Sequence, residues 1–172
     1  MVKKFLGIAG LSVALLAPPS YADFNAGFDA YNKGDYATAL KKLTPLAEQG
    51  HAIAQNNLGQ MYRYSLGVRQ DDQKAMEWYT KAALQGHAGA QFRLGFMYDS
   101  SQGVRQDYQK AVKWYTKTAL QGNTFAQNRL GFMYAIGQGV RQSDATAKEW
   151  FGKACDNGQQ VGCKNYAILN RR

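Results

Sequence analysis

The chain has 172 residues, of which 45% are hydrophobic and 19% are charged, and this composition excludes a disordered or low-complexity polymer. Lysine and arginine outnumber aspartate and glutamate by 21 to 12, which permits an acidic partner but does not indicate a fold. Two histidines and two cysteines leave little material for a metal site. We therefore expect one globular unit, without a cofactor, whose architecture has to be derived from residue spacing.

The first 22 residues have the pattern of a cleaved secretory signal peptide. Two basic residues, Lys3 and Lys4, precede an apolar run over 5–17. Ser20 and Ala22 then place small residues three and one positions before a cut. The apolar run is shorter than the roughly 20 residues that a membrane-spanning helix needs, so no membrane span is expected. We predict cleavage after Ala22, a bacterial Sec route, and a single mature domain, 23–172, that is periplasmic or secreted.

A period of 36 residues organises the mature chain. Residues 52–87, 88–123 and 124–159 align without a gap, and incomplete copies flank them at 24–51 and 160–172. The recurring residues of the first unit are Ala54, Leu58, Gly59, Tyr62, Ala75, Trp78, Lys81 and Gly86. A fixed period of this length indicates a solenoid whose units bury their apolar faces against their neighbours, with the odd terminal copies as caps.

Each unit is predicted to be a helix-turn-helix. Ala54, Leu58 and Tyr62 step by four residues, which predicts a helix over about 52–64. A second helix is predicted over about 72–85, with Trp78 among its buried residues. Asp71, Asp107 and Ser143 stand at the N-cap positions of the second helices, and Gly86, Gly122 and Gly158 at their ends. Gly59 lies inside the first helix, which predicts close approach of the paired helix.

The pattern Ala-x-Ala-Gln-x-x-Leu-Gly-x-Met-Tyr, followed by Gly-Val-Arg-Gln-Asp and Lys-Ala-x-x-Trp-Tyr-x-Lys-Ala-Ala-x-Gln-Gly, resembles the Sel-one-like repeat, a relative of the tetratricopeptide repeat. The resemblance covers roughly 24–172, and the leading half-unit 24–51 looks more like an ordinary tetratricopeptide turn. It implies an all-α fold, a right-handed superhelical α/α solenoid of helix-turn-helix repeats.

Cys155 and Cys163 are eight residues apart, between the last repeat and the capping helix. An oxidising compartment favours a disulfide over a metal ligand or a nucleophile. The two cysteines and their neighbours are similar to the cysteine-rich secreted branch of the family, and this resemblance implies a bridge between them.

The three copies differ mainly on one side of the first helix, which the resemblance places on the concave surface. The candidate binding residues there are Asn56, Gln60, Arg63, Tyr64, Phe92, Phe96, Asp99, Phe125, Asn128 and Phe132. One interpretation is that the phenylalanines hold an extended peptide or a partner helix, with Asn56, Gln60 and Asn128 as hydrogen-bonding partners. The alternative is that the phenylalanines fill the gap between units as core.

Catalytic patterns are missing from the sequence. None of the serines is followed three residues later by lysine, which argues against acyl transfer of the penicillin-binding type. His51 and His87 recur at one register and are interpreted as helix-capping residues. The recurring turn arginines, Arg69, Arg105 and Arg141, are interpreted as hydrogen-bonding helix-end carbonyls rather than as a stripe for anionic glycans or phospholipid.

The resulting hypothesis is an exported, non-catalytic adaptor of the bacterial cell envelope that binds a protein or peptide on its concave face. The partner would be a cell-wall enzyme or a signalling or secretion component, and the export signal argues against nucleic acid. Two alternatives stay open: a penicillin- or muropeptide-binding or hydrolysing protein, as resemblance to the cysteine-rich branch implies, and a secreted factor acting on a host cell.

Overall fold

The computed structural model describes residues 21–171. Residues 1–20 of the predicted signal segment lie outside the described residues, so cleavage after Ala22 stays a prediction. Between 21 and 171 the chain forms nine α-helices and no strand. Their bounds are α1 Tyr21–Lys33, α2 Tyr36–Glu48, α3 Ala52–Arg63, α4 Asp72–Leu84, α5 Ala88–Ser100, α6 Tyr108–Leu120, α7 Thr124–Ile136, α8 Asp144–Asp156 and α9 Gln160–Asn170.

The helices form a linear array, because each helix packs against the helix before it and the helix after it. The all-α prediction is confirmed, and the predicted ends of α3 and α4 lie within one residue of those observed. Residues 24–51, expected as a half-unit, contain most of α1 and all of α2, which are joined at Gly34 and Asp35. None of the helices between 21 and 171 has the length and apolar character required to cross a membrane.

Side-chain caps start the helices where the sequence predicts them. Asp71 Oδ1 accepts a hydrogen bond from the Lys74 amide at 2.9 Å, and Asp107 and Ser143 cap α6 and α8 in the same way. His87 Nδ1 accepts from the Ala90 amide at 3.2 Å, as His51 does at the start of α3. Burial lowers the pKa of His87, which favours the neutral imidazole that this bond requires. The capping role predicted for both histidines is confirmed.

A glycine in each first helix lies directly beneath an aromatic ring of the paired helix. A Cβ added at Gly59 would lie 2.5 Å from the Tyr79 ring, and one at Gly131 would lie 2.5 Å from the Phe151 ring. Gly95 meets the Tyr115 ring in the same way. The predicted close approach is confirmed, and it offsets the helix-propensity cost of glycine.

Buried glutamines connect the units through a polar ladder. Gln91 Nε2 donates to the carbonyl of Ala83 in α4 at 3.1 Å, while its Oε1 accepts from Gln121, the C-cap residue of α6, at 2.8 Å. Gln55 and Gln127 make the equivalent bonds one unit earlier and one unit later. Each glutamine thus bonds to helices on both sides of its own, and its buried amide has partners for both polar atoms.

The recurring tryptophans are only partly buried, which corrects their predicted place in the core. Trp78 is half-buried, and the ammonium of Lys81 lies 4.1 Å from the centre of its ring. Lys117 and Lys153 cover Trp114 and Trp150 in the same way. A cation–π contact on the helix surface therefore explains why tryptophan and lysine recur together three residues apart.

The predicted disulfide joins α8 to the capping helix α9. Cys155 and Cys163 are bonded, with their Cα atoms 4.5 Å apart. Within the described residues, Leu169 of helix α9 packs against Ala147 and Phe151 of α8. The bridge ties this terminal helix to the last repeat.

A matched pair of glycine substitutions tests the close approach. We expect Gly131→Ala to lower the free energy of unfolding by about 1–3 kcal/mol, because its Cβ overlaps the Phe151 ring. Gly152→Ala is the control, since its Cβ would lie 3.5 Å from Tyr166, an ordinary contact, and alanine is the better helix former by about 1 kcal/mol. Urea unfolding followed by circular dichroism measures both. Equal destabilisation of the two variants contradicts the packing argument.

Reduction of the disulfide tests its contribution. Closing a loop of about nine residues restricts the unfolded chain, so we expect the oxidised protein to be more stable by roughly 2.5 kcal/mol. Urea unfolding with and without reductant measures the difference. A variant with Cys155→Ser and Cys163→Ser should unfold like the reduced protein and ignore the reductant.

Candidate functional site

The first helices of successive units lie side by side and are joined by polar side chains. Arg93 Nη2 of α5 donates to Gln60 Oε1 of α3 at 2.8 Å. Arg129 of α7 reaches Asp99 of α5 at 2.6 Å. The surface formed by the candidate binding residues of α3, α5 and α7 is called the first-helix face below.

Two adjoining pockets open on the first-helix face. The α3/α5 pocket has a volume of about 230 Å³ and is lined by Arg63, Tyr64, Tyr79, Phe92, Arg93, Phe96 and Met97. The α5/α7 pocket has a volume of about 410 Å³ and is lined by Phe92, Phe96, Asp99, Ser100, Tyr115, Phe125, Asn128 and Arg129. Phe92 and Phe96 line both pockets and form their common wall.

Large aromatic side chains remain exposed on the first-helix face, and all but Phe132 line one of these pockets. The exposed fractions are 55% for Tyr64, 44% for Phe96, 66% for Phe125 and 41% for Phe132. Phe92 is half-buried, with its ring centre 5.7 Å from that of Tyr115 and 6.4 Å from that of Phe125. Phe92 therefore packs between units and also lines the pockets, whereas the other four rings face solvent. Their contact with a ligand stays a prediction.

The predicted amide partners make hydrogen bonds within the protein. Asn56 is buried, with only 7% of its surface exposed; its Nδ2 lies 3.4 Å from Asn57 Oδ1, and its Oδ1 has no hydrogen-bond partner among the described residues. Gln60 accepts from Arg93, and neither Asn56 nor Gln60 lines either pocket. Asn128 does line the α5/α7 pocket, but its Oδ1 accepts from Asn165 of α9 at 3.0 Å. Hydrogen bonding between these three amides and a ligand therefore stays a prediction.

The predicted charged residues form internal ion pairs. Arg63 bonds to Asp72 at 2.8 Å and also to the side chain of Gln102. Asp99 is buried and binds Arg129 through both oxygens, at 2.6 and 2.7 Å. The Tyr115 hydroxyl donates to the same carboxylate at 3.2 Å. The hydrogen bond to Asp99 raises the pKa of the Arg129 guanidinium, which therefore stays charged at neutral pH.

Two kinds of pocket residue were missed from the sequence. Arg93 and Arg129 occupy the position of Asn57 in their repeats, one residue outside the set of variable positions that was selected. The change from asparagine in the first repeat to arginine in the second and third could have identified this position in the sequence. Tyr79 and Tyr115 belong to second helices, whereas all the candidate binding residues were chosen from the first-helix side, and both tyrosines line a pocket. Burial raises the pKa of the Tyr79 hydroxyl, so that it remains a hydrogen-bond donor.

The turn arginines do not have their predicted partners. Arg69, Arg105 and Arg141 are exposed, and between residues 21 and 171 no hydrogen bond joins their side chains to a helix-end carbonyl. The turns are instead positioned by glycine. Gly103, with a φ of +71°, lies so close to Asp72 of the preceding unit that a Cβ would come within 2.3 Å of it.

The side chains that could ligate a metal ion are dispersed in the described part of the chain. Within residues 21–171 no group of three or more histidine, cysteine, aspartate or glutamate side chains is placed to hold a metal ion. His51, His87, Asp71 and Asp107 are all occupied as helix caps.

The architecture and the first-helix face define an α-helical repeat solenoid. The Sel1 repeat family profile matches residues 52–87, 88–123 and 124–159, in the register predicted from the sequence, and the chain belongs to the Sel1 repeat family. Such a scaffold is typical of protein–protein interaction. No curated protein matches the chain.

Solved structures support the assignment. A Sel1 repeat protein from Oxalobacter formigenes is 31% identical, with a TM-score of 0.81, and the match covers 87% of this chain and 60% of that one. The protein c5321, a protective antigen present in uropathogenic Escherichia coli strains, is 37% identical with a TM-score of 0.78, covering 83% of this chain and 31% of that one. The chain thus spans less than two thirds of either protein.

A more distant structure shares the fold alone. Helicobacter pylori cysteine rich protein B is 23% identical with a TM-score of 0.60, and the match covers 76% of this chain and 93% of that one. It extends the likeness to a cysteine-rich member of the same repeat architecture.

The Asp99–Arg129 pair provides a test of the site's internal electrostatics. We expect Asp99→Asn to lower the free energy of unfolding by about 2–4 kcal/mol, because it leaves a partly buried guanidinium without its counter-charge. Lys110→Gln removes an exposed ion pair with Asp107 and should cost less than about 0.5 kcal/mol. Urea unfolding measures both variants, and equal effects contradict the assignment of the buried pair.

Proposed function

We propose that the protein is an exported, non-catalytic adaptor of the bacterial cell envelope that binds a protein or peptide on the first-helix face. The observation that carries this proposal is the set of exposed aromatic rings on the first-helix face: Tyr64, Phe96 and Phe125 line two adjoining pockets, and Phe132 is exposed on the same face outside them. Clustered aromatic side chains at a pocket are typical of interaction sites, where they act as anchors.

The distribution of variation between repeats supports the same proposal. Positions that hold the helices together, such as Gly59 and its copies, are identical in the three units, whereas the first-helix face differs from unit to unit. A surface that varies while its scaffold is retained presents a different side-chain set along its length. Such a surface suits one extended partner better than a repetitive polymer.

Export is supported by the N-terminal sequence and by the disulfide. The Cys155–Cys163 bridge is of a kind that persists in oxidising compartments, and a cysteine-rich structural neighbour has the same repeat architecture. The partner class proposed is a cell-wall enzyme or a signalling or secretion component. Neither pocket contains a lysine, so a serine–lysine acylation site is not proposed.

Capture of partners by immobilised mature protein tests this function. From a periplasmic and envelope extract, the native protein should retain a partner that a Phe96→Glu, Phe132→Glu variant loses by at least about tenfold, since each substitution charges an aromatic anchor. The matched control is Leu84→Glu, Leu120→Glu. Those leucines are more exposed, at 73% and 70%, and lie on second helices outside both pockets.

The control decides how a loss is interpreted. Both variants must keep the native helical circular dichroism spectrum. If the leucine variant loses the same material, or the phenylalanine variant loses none, binding on the first-helix face is wrong. Fractionation with mass analysis tests the export component, which requires a periplasmic or secreted chain beginning at Asp23.

A further inference from the structure

The repeat places three equivalent side-chain triads between successive units. Each triad has one residue at the end of a first helix, one ring from the paired second helix, and one residue on the next first helix. The triads are Arg63, Tyr79 and Arg93; Asp99, Tyr115 and Arg129; and Ala135, Phe151 and Asn165. The three triads occupy equivalent positions of the repeat, so they differ from one another only in the identity of their side chains.

The middle triad is complete within the protein. Its carboxylate, Asp99, accepts two bonds from the Arg129 guanidinium and one from the Tyr115 hydroxyl. With 7% of Asp99 exposed, the charge is both buried and neutralised. An arginine and a tyrosine hydroxyl in this geometry therefore form a carboxylate-binding site, and here the chain supplies the carboxylate itself.

The last triad needs no ligand. Ala135 and Phe151 are apolar, and Asn165 donates to Asn128 Oδ1 at 3.0 Å. This triad has neither a charge nor a tyrosine hydroxyl to satisfy.

The first triad has the donors of the middle triad but not its carboxylate. The Tyr79 hydroxyl is buried and has no hydrogen-bond partner between residues 21 and 171. Arg93, the counterpart of Arg129, lies 5.7 Å from the centre of the Tyr79 ring and donates to two neutral groups, Gln60 Oε1 and the Tyr64 hydroxyl. Within the same described residues Arg93 forms no ion pair.

Arg63 stands where the middle triad has Asp99. Its guanidinium is bound to Asp72 and Gln102, so the charge of Arg63 is already balanced while that of Arg93 is not. All three residues of this first triad line the α3/α5 pocket, beside Phe92, Phe96 and Met97. A ligand group entering the pocket meets a cation and a tyrosine that needs an acceptor, next to an apolar wall.

We propose that the α3/α5 pocket binds an aspartate or glutamate side chain of the protein partner, with Arg93 and the Tyr79 hydroxyl as donors and Phe92 and Phe96 contacting an adjacent apolar side chain. The occupant is assigned as a side-chain carboxylate because the equivalent donors of the next unit hold one. Basic residues outnumber acidic ones by 9 in the full chain, and by 7 without Lys3 and Lys4 of the predicted signal segment, which favours an acidic partner as well. This inference rests on the proposed function, since it names the chemistry that the adaptor recognises in its partner.

Blocked tripeptides provide the direct test. The probe is acetyl-Leu-Asp-Leu-amide, and the comparison is acetyl-Leu-Asn-Leu-amide, with binding followed by NMR shifts of the Arg93 and Tyr79 side chains. We expect the aspartate peptide to bind at least about tenfold more tightly, because only a carboxylate pairs with the guanidinium. Acetyl-Leu-Asn-Leu with a free C-terminus shows whether a terminal carboxylate substitutes for the side chain. We expect that it does not.

Substitutions of Arg93 and Tyr79 test whether these two donors cause the preference for the aspartate peptide. Arg93→Gln should abolish the preference for aspartate, whereas Arg105→Gln, which removes the same charge from an exposed turn, should retain it. Tyr79→Phe keeps the ring against Gly59 and copies Phe151 of the last triad. It should weaken only the aspartate peptide, by about two- to tenfold, and leave folding intact.

A third variant supplies the proposed site with a carboxylate from the chain itself. Arg63→Asp places a carboxylate where the middle triad has one, and it should compete with the peptide and lower its affinity by at least about tenfold. Equal affinity for both blocked peptides, binding of neither, or equal losses for Arg93→Gln and Arg105→Gln overturns the proposal. If Arg93→Gln still captures the partner that Phe96→Glu, Phe132→Glu loses, the adaptor function stands and the carboxylate site alone is wrong.

Discussion

In each of the three repeats, contact between a helix glycine and an aromatic ring sets how closely the two helices of the unit pack. Gly59, Gly95 and Gly131 let the rings of Tyr79, Tyr115 and Phe151 lie against the backbone of the paired helix. This contact holds the two helices of a unit at short range. It also directs two of the rings toward the first-helix face, so that Tyr79 and Tyr115 line its pockets. One packing requirement thus builds the unit and supplies part of its surface chemistry.

The three units share one helical arrangement but differ in the charged and polar side chains between them. In the middle triad the chain's own Asp99 occupies the arginine and the tyrosine hydroxyl, and in the last triad neither group is present. The first triad retains a cation and a buried hydroxyl beside an apolar pocket. Buried polar groups without partners are rare in folded proteins, because they lose hydration without compensation. Their occurrence at a pocket within a repeated scaffold is what separates this unit from its copies.

Much of the fold could be predicted because the same capping, glycine and apolar positions recur in three aligned copies. The caps at Asp71 and His87 and the close approach at Gly59 follow from short-range rules, and each is observed. The site was predicted less completely. The exposed rings of Phe96 and Phe132 were selected correctly as surface residues, but Asn56 is buried, and Arg93, which helical spacing placed just outside the chosen face, was omitted. Helical spacing orients a Cα–Cβ bond, whereas a long side chain reaches a partner several ångströms away.

The repeat length, the order and ends of the helices, and the positions at which the units differ follow from the amino-acid sequence, because these features depend on contacts between residues close in the chain. Which side chains keep an unused charge or hydrogen-bond donor depends on how the helices pack together. Asp99 and Arg129 are 30 residues apart and meet only when α5 and α7 pack together. The same packing leaves the buried Tyr79 hydroxyl without a hydrogen-bond partner among the described residues. Whether a charged group is neutralised or available depends on distances between units, and those are set by the three-dimensional packing of the solenoid.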